Sequence, residues 1–326
     1  MKEAESKKST RYVVIVLLLV FLVAAALLVV SIWERGRGKY PSSDEDSGTL
    51  SFEGKDYVKK EGIETYLVLG IDKFDEGSGE QDAYQADFLL LLVFDNNEKK
   101  CSSIQINRDT MTNVNRLDIS GNKIETVKKQ IALAYNYVYD SSGKISCRNT
   151  ADSVSDLLHG VKIDHYVSLT MESVSKINDL VGGVEVEVLD DFTGIDDSLV
   201  KGQTVKLIGN QALTYVRTRK GLEDATNAAR MKRQEQYLNA LTKKLEERSD
   251  NDPDFLLRAV DEVGQYIVYD STEYRMQEIA EKFREYEFLG ITEIEGDNKV
   301  VDGYMEFTPN EDALLKIVVD NFYKLK

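Results

Sequence analysis

Apolar and polar positions follow two regimes along this chain. From Val13 to Val30 every position is apolar, and Ser31, Ile32 and Trp33 extend the run. About 20 helical residues at ~1.5 Å each span a hydrocarbon core of ~30 Å, so residues 12–33 are expected to form a transmembrane anchor. Gly36–Lys60 then mixes Gly, Ser, Asp, Glu and Lys with no apolar period, and residues 34–61 read as a tether. From Gly62 onward, short apolar runs alternate with longer segments of helical spacing. Tyr66–Ile71, Phe88–Phe94 and Cys101–Ile106 suit strands buried on both faces. Asp164–Leu169 and the alternating Val184–Val188 are two further strands. Lys123–Tyr139 is helical in pattern. Asn149, Thr170 and Asn210 read as N-caps of three helices, the last carrying Arg217 and Arg219 near its end. Ala228–Arg248 reads as a long helix with Met231, Leu238, Leu241 and Leu245 inward, and the last ~70 residues read as two helices and a short strand. The expected fold is α/β: one domain over residues 62–326, a three-layer α-β-α sandwich around a mixed central sheet, preceded by one transmembrane helix.

Composition narrows the partners. A formal charge of −16 argues against a nucleic-acid ligand and makes any local cluster of arginines informative. The run after Val30 ends in Ser-Ile-Trp-Glu-Arg, a poor cleavage site, which favours an anchor over a signal peptide. Lys2, Lys7, Lys8 and Arg11 precede the span, so residues 1–11 read as a cytoplasmic tail. The chain is then expected to be a single-pass membrane protein, with everything after residue 34 outside. His159 and His165 read as structural, and neither Cys101 nor Cys147 has metal-ligand spacing. Two states of the cysteines stand open: a disulfide, or two inert buried thiols.

The remaining chemistry lies where apolar runs meet charge. Asp72 closes one buried run and Asp87 opens the next, so paired antiparallel strands would bring both carboxylates to one edge. Mg²⁺ is commonly held by one or two carboxylates together with substrate phosphates. Mn²⁺ would suit the same oxygens. The alternative is that both are turn or capping residues. Arg108 follows a third buried run, with Asp109 beside it to hold its guanidinium. Arg217 and Arg219 are two apart and can face one ligand only if their helix ends there. Arg230 and Gln234, four apart, share a helical face. Guanidiniums match phosphate oxygens bidentately and stay charged. The alternative for each arginine is a solvated surface charge, which is the reading given to Lys232 and Arg233.

In combination these stretches resemble the LytR-CpsA-Psr (LCP) family. The matching pieces are Leu67-Val-Leu-Gly-Ile-Asp72, Ala86-Asp87-Phe88, Ile106-Asn-Arg-Asp-Thr110, Val181-Gly-Gly-Val-Glu-Val186, Gly209-Asn-Gln-Ala-Leu-Thr-Tyr-Val-Arg-Thr-Arg219 and Ala229-Arg-Met-Lys-Arg-Gln-Glu-Gln236. The resemblance implies a phosphotransferase outside the bacterial cell membrane that moves a glycopolymer (teichoic acid, capsule or similar) from a polyprenyl diphosphate carrier onto peptidoglycan. It also implies that Asp72 and Asp87 bind Mg²⁺, and that Arg108, Arg217, Arg219 and Arg230 grip the diphosphate with help from Gln234. Asp109, counted with the substrate-binding residues, would orient Arg108 or take the proton of the acceptor hydroxyl. The polyprenyl tail would lie in an apolar channel between sheet and helices. Two departures stand out: Gln85 where the family often has Arg, and Ala229 where it often has Gly. The competing readings are a polyprenyl diphosphate pyrophosphatase and a non-catalytic, membrane-tethered sensor or attenuator of wall lipids.

Overall fold

The computed structural model describes residues 49–73, 84–136, 143–252, 255, 266–269 and 286–326. The expected tail, the anchor and the first part of the tether lie outside the described residues. Among the described residues, no helix is long and apolar enough to cross a membrane. The strands are β1 (Thr49–Phe52), β2 (Lys55–Lys59), β3 (Ile63–Lys73), β4 (Tyr84–Asp95), β5 (Lys100–Ile106), β6 (Met111–Leu117), β7 (Lys123–Gln130), β8 (His165–Thr170), β9 (Val184–Glu187), β10 (Thr204–Leu207), β11 (Ile267–Tyr269), β12 (Glu287–Glu293), β13 (Gly296–Val301), β14 (Tyr304–Pro309) and β15 (Tyr323–Leu325). The helices are α1 (Lys144–Leu157), α2 (Glu172–Leu180), α3 (Asn210–Arg217), α4 (Asn227–Asn251) and α5 (Glu311–Phe322).

Six strands form the central sheet in the order β11-β8-β3-β4-β5-β12. It is mixed: β3–β4, β4–β5 and β8–β11 run antiparallel, while β3–β8 and β5–β12 run parallel. The central strands are apolar on both faces because helices cover both. On one face Leu67, Leu69, Leu89, Leu91 and Ile104 join Ala151 and Val154 of α1 and Leu314 and Val318 of α5 in one core. On the other side of the sheet, Ile177 of α2, Tyr215 of α3, and Tyr237 and Leu241 of α4 form a second core with Val184 and Val186 of β9. The α-β-α layering expected from the alternating runs is therefore present.

Several local expectations are corrected. The tether expected to reach residue 61 is structured from Thr49. Glu53 and Gly54 both have positive φ, which makes a two-residue hairpin turn, and β2 pairs in addition with the C-terminal β15. Lys123–Tyr139 does not form a helix where it is described. Lys123–Gln130 is β7, paired with β6, and Ile131–Tyr135 is a short 3₁₀ turn. Ile124 is 63% exposed, so the helix-like spacing of apolar residues there marks no core face. None of the three expected N-caps caps a helix: the residues at those positions are Gly143, Met171 and Gly209. Asn149 is instead inside α1, where its amide donates to Asn115 O (2.9 Å) and Ala134 O (2.8 Å). Of the last ~70 residues, those described form one helix and five strands, more strand than expected, and the rest of that stretch lies outside the described residues. Cys101 and Cys147 are buried thiols not joined in a disulfide, and burial pushes the Cys101 pKa well up.

Candidate active site

The site forms where β3 ends and β4 begins, beside the turn between β5 and β6 and the turn after α3. The pairing Gly70↔Phe88 followed by Ile71↔Ala86 leaves Asp87 as an extra residue in β4. Ala86 and Leu89 pack in the same core although they are three apart, so the side-chain alternation slips at Asp87. The bulge turns Asp87 away from that core and toward α4. Gly70 permits the close crossing, since a Cβ there would lie 2.8 Å from the Phe88 Cβ.

Asp87 binds two arginines from remote segments. Arg108 Nη1 donates to its Oδ1, and Arg230 Nη1 donates to its Oδ2 at 3.0 Å. Arg108 Nη2 also donates to Gln85 Oε1, so the glutamine that departs from the family pattern holds the guanidinium. Arg217 Nε donates to Asp72 Oδ2. Asp109, only 2% exposed, lies between two arginines: its Oδ1 is 3.5 Å from Arg108 Nε and its Oδ2 is 3.6 Å from Arg219 Nη1. Its backbone is fixed by Phe307 N donating to Asp109 O (2.9 Å) and by Asp109 N donating to Asn107 Oδ1 (3.0 Å). All eight residues singled out in the sequence thus come to one region. Arg217 and Arg219 reach it together because α3 stops at Arg217 and Thr218 is extended.

The electrostatics suit an anionic ligand. Burial lowers the Arg230 pKa to about 10, which keeps the guanidinium charged at neutral pH. Burial also raises the Asp109 pKa, against the pull of Arg108, Arg219 and Arg230. Among the described residues, Arg108 Nε, Arg230 Nε and Asp109 Oδ2 are buried without a hydrogen-bond partner. Buried polar atoms are normally paired, so the two unpaired Nε donors of Arg108 and Arg230 fit a site that receives acceptor oxygens from outside the protein. Among the described residues, no group of three or more His, Cys, Asp or Glu is placed so that all could hold one metal ion. Two carboxylates on neighbouring strands are nevertheless a donor set that suits a hard divalent cation, which takes its other oxygens from phosphates and water.

Beside the charges the sheet and helices part. A cavity of about 100 Å³, partly open to solvent, is lined by Val68, Gly70 and Phe88 from the sheet and by Val174, Ile177, Tyr237, Leu238 and Leu241 from α2 and α4. Its walls are almost wholly apolar. Val216 and Gln234 also line it, and Gln234 Nε2 donates to Val216 O at 3.2 Å. Gln234 therefore ties α4 to α3 between the cavity and the arginine turn.

Sequence reasoning missed three contributors. Arg233, read as a surface charge, is wholly buried and bound to Asp190; Lys232 beside it is exposed. Asn107 and Asn227 link the Arg108 segment to α4, with Asn227 Nδ2 donating to Asn107 Oδ1 (2.7 Å) and Arg230 Nη2 donating to Asn227 Oδ1. Asn227 and Arg230 are three apart on a helix, the one signal that could have paired them.

The profile of the LytR_cpsA_psr family matches residues 28–321. Biofilm regulatory protein A of Streptococcus mutans is 29% identical over 225 residues, covering 66% of this chain and 52% of that protein. The polyisoprenyl-teichoic acid–peptidoglycan teichoic acid transferase TagU of Bacillus mycoides is 30% identical over 179 residues, covering 55% of this chain and 51% of that protein. The chain thus spans about half the length of these relatives. The crystal structure of Bacillus subtilis TagV shares the fold, with a TM-score of 0.56 at 22% identity over 80% of this chain and 98% of that one. The match of the family profile across most of the sequence, including every segment that builds the charged cluster, establishes that this chain belongs to the LytR-CpsA-Psr family.

Proposed function

We propose that this protein is a phosphotransferase that moves a glycopolymer from a polyprenyl diphosphate carrier onto peptidoglycan. The observation that carries this reading is the union of two environments: four arginines and three aspartates cluster beside an apolar cavity. A prenyl diphosphate has the same two parts. Its hydrocarbon tail would occupy the cavity, and its phosphates would meet Arg108, Arg217, Arg219 and Arg230. Membership of a family that includes teichoic acid transferases supports the choice of polymer class and acceptor. An anchor at residues 12–33 would place the domain outside the membrane, where carrier and peptidoglycan meet.

In the proposed reaction a sugar hydroxyl of the acceptor attacks the phosphorus on the polymer side. A new phosphorus–oxygen bond forms, the bond to the bridging oxygen breaks, and polyprenyl phosphate leaves with that electron pair as the hydroxyl proton is released. Negative charge grows on the transferring and leaving oxygens. Preorganised guanidiniums stabilise that charge without reorganising at the moment of reaction. Arg230, almost fully enclosed, supplies a fixed charge behind Asp87. The more exposed Arg217 and Arg219 are placed to follow the moving phosphoryl group; their side chains are 42% and 28% accessible. Asp72 and Asp87 would hold Mg²⁺, which when bound would neutralise diphosphate charge. Because both carboxylates engage arginines in this structure, holding a cation would require them to share those partners.

The test uses full-length protein in detergent, a polyprenyl-diphosphate-linked oligosaccharide, peptidoglycan fragments, and either Mg²⁺ or a chelator. Covalent oligosaccharide–peptidoglycan product, seen by mass spectrometry and dependent on Arg108, is the expected result. Release of oligosaccharide at the same rate without acceptor would identify a pyrophosphatase. Tight lipid binding with no turnover under Mg²⁺ or Mn²⁺ would identify a sensor.

A further inference from the structure

We propose that Arg233 is a positioning residue of this site, fixing the turn that presents Arg217 and Arg219. The inference rests on the phosphotransferase reading for its importance, but its geometry stands apart from it. A helix C-terminus leaves its last carbonyls without intrahelical partners. At the end of α3, Thr218 N donates to Thr214 O at 3.1 Å. The carbonyls beyond it are taken by side chains of α4. Arg233 Nε donates to Tyr215 O at 2.9 Å, Gln234 Nε2 donates to Val216 O at 3.2 Å, and Arg233 Nη2 donates to Thr218 O. The guanidinium therefore holds acceptors on both sides of Arg217 and immediately before Arg219.

The third arm of Arg233, Nη1, donates to Asp190 in the segment after β9. Phe192 of that segment lies under the guanidinium at 5.6 Å and stacks on Tyr215 with ring centroids 5.6 Å apart. Arg233 has no exposed surface and cannot itself touch a substrate. Its planar fork addresses three acceptors in set directions, which a lysine ammonium on a flexible stem does not reproduce. A cation at this helix end is also favoured by the helix dipole. The arginines at the mouth are thus aimed by an arginine that never reaches it.

The experiment uses full-length protein in detergent and two variants: Arg233→Lys, and Arg233→Met combined with Asp190→Asn so that no buried carboxylate is left unpaired. Amide hydrogen exchange is followed over residues 216–222 and over β3 and β4, together with binding of geranyl diphosphate and transfer kinetics. In the double variant, exchange at 216–222 should quicken at least tenfold while β3 and β4 hold, and kcat should fall roughly 100-fold, as misplacement by about 1 Å can produce. Arg219→Ala added to it should cost less than it costs alone, because both changes disable one device. Arg233→Lys should fall between wild type and the double variant. Unchanged exchange at 216–222, or fully additive losses, would overturn the proposal. If the double variant does not fold, Arg233→Lys decides by the same exchange measurement. If wild-type protein neither binds geranyl diphosphate nor transfers, the phosphotransferase reading falls, while the exchange data still decide what Arg233 does.

Discussion

On one face of the central sheet, Leu67, Leu69, Leu89 and Leu91 pack directly against α1 and α5. On the other, Val68, Gly70, Phe88 and Leu169 look across a cavity toward α2 and α4. The same strands supply both faces, and both are apolar. What differs is the distance at which the helices close. The second helical layer builds its own core around Tyr215, Tyr237 and Val184 and does not settle fully onto the sheet. The hollow face is also the one whose rim carries the paired arginines and aspartates. A sheet can thus spend one face on stability and leave the other for a ligand, with no change in the hydrophobicity of its strands.

The largest effects should separate these two faces by function. Arg108→Ala is expected to reduce transfer about 10³-fold, equivalent to about 4 kcal/mol of transition-state stabilisation. It should leave the unfolding midpoint nearly unchanged, because Asp87 keeps Arg230 as a partner. Steady-state transfer and thermal melting of the same preparation check both halves. Leu91→Ala, on the sealed face, should do the reverse: about 3 kcal/mol of stability lost and kcat retained. Leu238→Ala, on the cavity wall, should cost only about 1 kcal/mol, because that side chain already lacks neighbours on one side. Urea unfolding of the two leucine variants tests the contrast. Equal losses would mean that the hollow face is packed as tightly as the sealed one.

Much of this architecture is legible in the sequence, for definite reasons. β3 and β4 announce themselves because burial on both faces demands long apolar runs, and β5 and β8 because they remain short and rich in apolar and β-forming residues although Ser102, Ser103, Gln105 and Ser168 interrupt them. Asp72, Asp87 and Arg108 stand out because charge interrupts those runs at their ends. The bulge at Asp87 is hidden by the same feature: in Phe88–Phe94 every residue is apolar, so a slip of phase leaves no trace. The β6–β7 hairpin is missed because the pattern of β7 reflects exposure and not a buried face, and its lysines mimic a polar helix. The burial of Arg233 could not be read at all, since its partner Asp190 lies 43 residues earlier in a loop.

A smaller effect sharpens the comparison from the ligand's side. Val174 lines the cavity and is partly buried against the α2–α4 core. Val174→Trp should fill part of the empty space and raise KM for a polyprenyl diphosphate donor roughly tenfold, about 1.4 kcal/mol. KM for a short-chain prenyl diphosphate should change less, because less of its tail needs the cavity. A uniform loss of kcat with both donors, at unchanged KM, would place the hydrocarbon chain elsewhere.

The smallest effect concerns which force governs Asp109 at the charged rim. Burial raises its pKa, while Arg108, Arg219 and Arg230 pull it down, and the balance lies above the ordinary carboxylate value. A carboxyl whose folded pKa is raised contributes stability that is full below its unfolded pKa, about 3.9, and is lost as pH climbs through the folded value. The stability of wild type minus that of Asp109→Asn should therefore decline as pH rises from about 4 through the raised pKa, and then level off. Urea unfolding at stepped pH in a chelating buffer measures this difference without divalent cations. A difference that grew with pH instead would show that the three guanidiniums outweigh burial. Asp109 would then act chiefly as a counter-ion for Arg108 and Arg219, and the charged rim would be stabilised by its own ion pairs even before a substrate arrives.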